Sequence, residues 1–261
     1  MFQFNCRAHG TFRTGTSIEA NTLSSFKEQS MLKLRKIWRE LRRYGVLGMV
    51  LILGVGFSFR SAIADWNDVP TGSMQPTILI GDRIFVNKIA YDLKVPFSQS
   101  RIVTWADPER GDVVTFSSPV DGTRLVKRVV ALPGDTLEMR NSRLILNGAE
   151  LTYAKADEAT FVAHLEGAAV GKMFSIENLP GHAHVVAITP AKKSIRNFGP
   201  VTVPANQYFM MGDNRDNSAD SRYFGFVARG LIAGRVQATV WSLNYDNHYW
   251  PRWSRFFADM I

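Results

Sequence analysis

The sequence predicts a mainly β fold: a β-rich domain, interrupted by a smaller inserted subdomain and preceded by one N-terminal transmembrane helix. Three observations carry this expectation. Tyr44 to Phe59 contains no charged residue and follows a basic cluster. From Asp65 onward, short apolar stretches are separated by turn signals, the pattern of successive strands. That regularity lapses between residues 151 and 203 and returns at Gln207.

The 261 residues are 46% apolar, enough for one or two packed domains. A net charge of +8 raises the question of a nucleic-acid partner. However, Lys33, Arg35, Lys36, Arg39, Arg42 and Arg43, against Glu40, carry +5 of it just before the apolar stretch. This clustering fits membrane topology, and no nucleic acid is expected as a partner. The single cysteine, Cys6, cannot close an internal disulfide. The rest of the chain offers no thiol as a nucleophile or thiolate ligand.

Residues 1–30 have no sustained periodicity and read as a flexible tail. Met31 opens MLKLRKIWRELRRYG, the ordinary start of a membrane-anchored protein. Two readings therefore stand: translation begins at Met31, or residues 1–30 form a cytosolic tail. Residues 31–43 are the basic cytoplasmic segment and 44–64 the transmembrane helix. The uncharged run is about 16 residues, near the lower limit for a span, and a snorkelling Arg60 extends the helix to Ala64. The basic cluster puts the N-terminus in the cytoplasm and the remainder outside. A buried core helix fits poorly, because the stretch is apolar all round and flanked by arginines. Ala62-Ile63-Ala64 resembles a small-x-small cleavage site, but Arg60 lies inside the would-be cleavage region, so the helix is expected to be retained.

Beyond the helix, strands are expected at Arg83–Asn87, Asp112–Phe116, Thr123–Leu132, Thr136–Met139 and Arg143–Leu146. Asn141-Ser142, Asn147-Gly148 and Pro133-Gly134-Asp135 are turns. Residues 65–150 form the first part of the β core and 151–203 the inserted subdomain. The insertion has helix-compatible residues at Ala154–Val162 and a strand at Val185–Thr189. Residues 204–249 complete the core with strands at Gln207–Met211 and Gly234–Leu243. In the tail, 250–261, Trp250, Trp253, Phe256 and Phe257 stand among Arg252 and Arg255, a mixture that suits the lipid headgroup layer. Trp241 reads as core packing.

Three places could carry chemistry. Ser73 sits in PTGSMQPT, although most serines before an apolar run are turn residues. A serine nucleophile needs a base. His9, His164, His182, His184 and His248 lie in no strong motif, and His182-x-His184 lacks a third metal ligand. They read as loop histidines bound to solvent. Lys127, in RLVKRVVAL, shares a strand face with Leu125, Val129 and Ala131, while Arg128 points the other way. Burial there would favour the neutral amine that a base requires. The alternative is an edge-strand lysine whose head reaches water, and alternation alone does not exclude it. The loop MGDNRDNSADSRYFGF fails the calcium pattern, with Arg215, Ser218 and Phe224 at ligand or glycine positions. Asp220 and Arg222 are expected to pair and brace the loop, and Ser218 to offer an oxygen to a nearby lysine.

Taken together, four segments resemble the bacterial type I signal peptidases. Pro70–Thr77 is similar to the nucleophile box and Gly81–Asn87 to the strand after it. Arg110–Val114 with Val126–Arg128 and Leu132–Asp135 resembles the lysine box. Gly212–Arg222 resembles the family's most recognisable loop. The resemblance implies a signal-peptidase-like β fold, with Ser73 as nucleophile and Lys127 as general base. It also implies an oxyanion hole from the Ser73 N–H and the Thr71 hydroxyl, with Ser218 orienting Lys127 and Asp220 and Arg222 in support. Pro70, Met74, Ile78, Ile84 and Val126 would line pockets for small side chains. Thr71 stands where many members have serine, which preserves the hydroxyl. No cofactor and no metal are implied. The implied partners are signal-peptide-bearing preproteins and the lipid bilayer. The implied location is the bacterial cytoplasmic membrane, single-pass, with the catalytic domain on the outer, periplasmic face. Two other readings compete: a self-cleaving repressor-type Ser/Lys peptidase, and a non-catalytic membrane-anchored β scaffold that binds exported proteins.

Overall fold

The computed structural model describes residues 31–56 and 63–259, except 34, 37, 55, 96–97, 99, 157–164 and 166–168. The expected tail (1–30), part of the expected span (57–62) and most of the helix expected at Ala154–Val162 lie outside the described residues. The chain divides into two compact units, Met1–Phe57 and Ser58–Ile261.

In the first unit every described residue from 31 to 56 is helical (α1), and apolar side chains such as Leu47, Leu51 and Ile52 are exposed. Among the described residues no helix is long and apolar enough to cross a membrane. Ala64, expected to end the helix, instead opens the first strand.

The second unit is built of short strands. First come β1 (Ala64–Asp68), β2 (Asp82–Asn87), β3 (Asp92–Lys94), β4 (Arg101–Thr104), β5 (Val113–Ser117) and β6 (Arg124–Ala131). They are followed by β7 (Thr136–Arg140), β8 (Arg143–Leu146), β9 (Ala149–Glu150), β10 (Thr152–Lys155), β11 (Met173–Leu179) and β12 (His182–Ile188). The last are β13 (Phe198–Thr202), β14 (Gln207–Met211), β15 (Val227–Ala228), β16 (Ile232–Asn244), β17 (Trp250–Pro251) and β18 (Ala258–Asp259). The main sheet runs β1-β2-β16-β5-β6-β14-β15, with β17 and β18 also paired to β16. Three smaller sheets, β13-β7-β8-β9, β10-β11-β12 and β3-β4, complete the unit.

Side-chain alternation explains the central strands. In β2, Asp82, Ile84 and Val86 are buried and the residues between them are half-buried. β16 is long enough to pair with both β5 and β2, and register shifts along it let it bend between them. In β6 every residue from Lys127 to Ala131 is buried, because both faces are covered. Val130 and Ala131 pack with Leu137, Leu144 and Phe209, while Val129 packs with Phe116, Tyr208 and Met210. The β7–β8 turn has positive φ at Asn141 and Ser142, and the β8–β9 turn at Asn147 and Gly148. A two-residue turn of this hand matches the twist of its strands.

Residues 151–203 are joined to the core by strand pairing. β13 pairs with β7, and Ala187 of β12 bridges to Asn214. Ala154 and Lys155, expected in a helix, lie in β10, where pairing with β11 overrides local propensity. The main departure concerns the histidines. His182 and His184 are strand residues, not solvent-bound loop residues. The alternation of β12 turns His184 and Val186 into the interior. His184 lies 3.5 Å from Glu177 and 3.9 Å from Asp213. The His182 ring is 3.0 Å from Arg128 Nη1. Glu177 accepts two hydrogen bonds of 2.7 Å from Arg215 and one of 2.7 Å from the Tyr153 hydroxyl.

In the tail, Trp250, Trp253 and Phe257 are exposed, and the half-buried Trp241 lies under the Arg83 guanidinium at 4.8 Å. Arg252 and Arg255 are bound by the domain. Arg252 donates to the Ile80 and Leu243 carbonyls, and Arg255 to Asp82 and the Thr77 carbonyl.

Burial, reinforced by the Arg128 charge, pushes the His184 imidazole down to about 4. Its ring also faces Asp213, Glu177 and Arg215, with His182 nearby on the same strand. Between the ordinary histidine pKa and that value the unfolded chain binds the extra proton, so stability falls on acidification from about pH 6.5 to 4. At about 1.36 kcal/mol per pKa unit, the loss is on the order of 3 kcal/mol. His182, also shifted down by burial, adds in the same direction. Urea unfolding of the full chain across this range is expected to show the slope, and His184→Gln to flatten most of it.

Candidate active site

Ser73 lies in a single 3₁₀ turn, Gly72–Met74, entered from an extended Thr71. The loop between β1 and β2 is closed by Asp82, whose carboxylate accepts from the Leu79 N–H at 2.8 Å and whose carbonyl accepts from the Val69 N–H at 3.0 Å. Met74 and Ile78 sink into a core cluster with Ile84, Val86, Val113 and Val236. The loop is thereby fixed on the sheet at its apolar positions, and Ser73 remains partly exposed.

β6 carries Lys127 under this turn. Its Nζ lies 2.8 Å from Ser73 Oγ and donates to the Val126 carbonyl at 2.9 Å. The residue is 3% exposed. Desolvation pulls its pKa down to about 8, against the upward pull of Asp220 and Asp213. Each of these carboxylates has its own guanidinium. Arg222 meets Asp220 at 2.8 Å, and Arg128 meets Asp213 at 2.8 Å. With their charge already compensated, they hold the lysine proton less firmly than bare carboxylates would.

The loop Gly212–Arg222 is buried for most of its length, so its polar groups need partners. Asp220 accepts from the Gly212 N–H and from the Arg222 N–H and guanidinium. Asp216 accepts from the Thr189 N–H at 2.7 Å and from Arg196 at 3.0 Å. Ser218 Oγ is buried and hydrogen-bonds to no described residue. The hydrogen bond expected from Ser218 to Lys127 is therefore not formed. Gly212 lies where the loop meets the nucleophile turn. A methyl group there would stand 2.3 Å from Ser218 Oγ and 2.5 Å from the Ser73 carbonyl oxygen.

The expected pocket residues divide. Pro70 is exposed and Val126 half-buried, whereas Met74, Ile78 and Ile84 are core residues with at most 1% exposure. Thr71 is exposed, and its side chain makes no capping bond to the turn.

Sequence reasoning missed Asn214 and the buried Arg128–Asp213 pair. Asn214 Nδ2 donates to the Gly72 carbonyl at 2.8 Å, and its backbone N–H to the Ser73 carbonyl at 3.0 Å. Arg128 donates to both Asp213 oxygens and to the Gly111 carbonyl. Burial pushes the Asp213 carboxyl up, but Arg128 and Thr77 hold it below the ordinary carboxylate range. The sole local signal was that Arg128 follows Lys127 on a strand, which puts a charge on each face.

The sequence of the signal peptidase family, peptidase S26, matches residues 41–241. Signal peptidase I of Pseudomonas aeruginosa is 38% identical over 214 residues, covering 76% of this chain and 69% of that protein. Signal peptidase I of Pseudomonas fluorescens is 36% identical over 210 residues, with the same shares covered. A solved signal peptidase I from Enterococcus faecalis is 30% identical, covers 51% of this chain and 98% of its own, and has a TM-score of 0.31. The extent of the family match, with relatives this similar over three quarters of the sequence, establishes that the chain belongs to the bacterial type I signal peptidases.

Proposed function

We propose that this peptidase removes signal peptides from exported preproteins after small-x-small sites, with Ser73 as nucleophile and neutral Lys127 as general base. The observation that carries the reading is the 2.8 Å separation of Ser73 Oγ and a buried Lys127 Nζ. Lys127 takes the Ser73 proton as Oγ attacks the scissile carbonyl carbon. The carbonyl oxygen becomes an anion, received by the Ser73 N–H and the Thr71 hydroxyl. Collapse breaks the C–N bond, and the Lys127 ammonium gives its proton to the departing amine of the mature protein. Lys127 then deprotonates a water that cleaves the acyl-enzyme and frees the signal peptide carboxylate.

Supporting features fit these roles. The Ser73 N–H donates to no described residue and is open to an incoming oxyanion. Ser218 Oγ, without another partner, is available to the Lys127 ammonium as it forms. Pro70 and Val126 would meet the substrate, over a floor of Met74, Ile78 and Ile84. With that floor closed by the core, the pockets suit small side chains.

In the same reading the apolar run that begins at Tyr44 anchors the chain once in the cytoplasmic membrane. The basic segment is cytoplasmic and the catalytic domain lies on the periplasmic face. Exposure of the apolar α1 side chains supports a lipid rather than a protein environment. The family match disfavours both the self-cleaving repressor and the inert scaffold.

Ser73→Ala and Lys127→Ala are expected to abolish preprotein cleavage in folded protein, and Lys127→Arg to fail because arginine stays protonated. Wild-type kcat should rise with pH through about 8 and level off above it, since the neutral amine is the active form. A rate governed by a group near pH 6.5, or an active Lys127→Ala, would exclude Lys127 as the base.

Thr71→Val should lower kcat by about 10²–10³-fold through loss of one oxyanion donor, and Thr71→Ser should stay within about tenfold of wild type. Near wild-type turnover in folded Thr71→Val would remove Thr71 from the oxyanion hole. Gly212→Ala should cost about 10²-fold in turnover by displacing Ser218 and the Ser73 turn. Steady-state cleavage of a preprotein tests both.

A further inference from the structure

The nucleophile turn is gripped from one side by Asn214. This buried residue binds the two carbonyls that flank the Ser73 α-carbon, Gly72 O through its side-chain amide and Ser73 O through its backbone N–H. The Gly72–Ser73 peptide is trans. In a trans peptide the C=O and N–H point to opposite sides of the chain. A Gly72 carbonyl held toward Asn214 therefore turns the Ser73 N–H away from it. That N–H is the backbone donor of the proposed oxyanion hole, and no described residue accepts from it.

We infer that Asn214 is a positioning residue that aims the Ser73 N–H at the scissile carbonyl oxygen; the inference rests on the proposed Ser73–Lys127 reaction.

The amide is used in one orientation. Asn214 Oδ1 is buried and without a hydrogen-bond partner. The reverse orientation would set that oxygen against the Gly72 carbonyl, acceptor against acceptor. The residue thus leaves one buried acceptor unsatisfied while keeping the donor on Gly72, which identifies the Gly72 contact as the one its position serves. The Gly72 carbonyl also accepts from the Gln75 N–H at 3.2 Å, so the turn closes on itself and Asn214 adds the external hold. Asn214 in turn is held by β12. Ala187 bridges to it, and the Ala187 N–H donates to the Asp213 carbonyl at 2.8 Å. The 151–203 segment thereby acquires a role: it backs the residue that sets the direction of a catalytic N–H.

An oxyanion donor acts on the transition state more than on bound substrate. The test uses full-length enzyme with Asn214→Ala and Asn214→Asp. The aspartate variant keeps the size and backbone contact but puts an oxygen opposite the Gly72 carbonyl. Both are expected to lower kcat by about 10²-fold with KM within about threefold. Affinity for a signal-peptide aldehyde, which forms a tetrahedral adduct with Ser73, should fall by a similar factor. Affinity for the cleaved signal peptide should not change, and the pH midpoint near 8 set by Lys127 should stay in place. A kcat within about tenfold of wild type, or an equal fall in aldehyde and product affinity, overturns the assignment. If Asn214→Ala does not fold, Asn214→Asp decides, and failure of both to fold makes Asn214 structural only and likewise overturns it. Wild-type cleavage that persists in Ser73→Ala would instead overturn the proposed reaction itself.

Discussion

An ammonium group cannot be buried in a β core at low cost. It must be met by a carboxylate or lose its proton, and the site around Lys127 is arranged around that constraint. Two carboxylates, Asp213 and Asp220, lie near enough to raise its pKa, yet desolvation prevails and leaves it near 8. The balance depends on Arg128 and Arg222, each paired with one of those carboxylates. Bare carboxylates at those two positions would hold the ammonium form more strongly. The buried arginines thus serve two ends: they satisfy buried acids, and they keep those acids from capturing the lysine.

The same economy explains the breadth of the network. Removing one partner of a buried ion pair leaves an uncompensated charge, a loss of several kcal/mol, so each charged group requires the next. Arg128 links β6 to Asp213, Arg215 links the loop to Glu177 on β11, and Arg222 reaches the Ile195 carbonyl. The loop 212–222 is consequently tied to the main sheet, to the β10-β11-β12 sheet and to the segment before β13. A loop with this many buried partners has one conformation to adopt. That rigidity backs the serine turn, whose Gly72 and Ser73 carbonyls both bind Asn214.

The segment 151–203 acquires its meaning from the same contacts. Its strands put Glu177, His184 and Ala187 against the loop, and Lys172 reaches the Gln75 amide at 2.8 Å. It touches the nucleophile turn and the loop behind it at several points. Its removal would expose Arg215 and Asp213, the chain neighbours of Asn214, to a changed environment.

Much of this was legible in the order of residues. Strands β2, β5 to β8, β14 and β16 follow from short apolar stretches between turn signals, and the turns at Asn141-Ser142 and Asn147-Gly148 from residues that tolerate positive φ, because these are local facts of the chain. Ser73, Lys127 and the loop at Gly212 stood out by residue type and by resemblance. Alternation could not tell a buried Lys127 from one with its head in water, since burial depends on what covers the strand. The histidines were misread for a related reason: the interior that receives His184 is formed by Glu177 on the paired strand β11 and by Asp213, Arg128 and Arg215 from distant segments. Asn214 stood inside the Gly212 loop without a mark of its own role, because its importance lies in two carbonyls more than a hundred residues away. Periodicity and turn chemistry are written along the chain. Desolvation, ion pairing and the direction of a single N–H come into being only when separate segments close on one another.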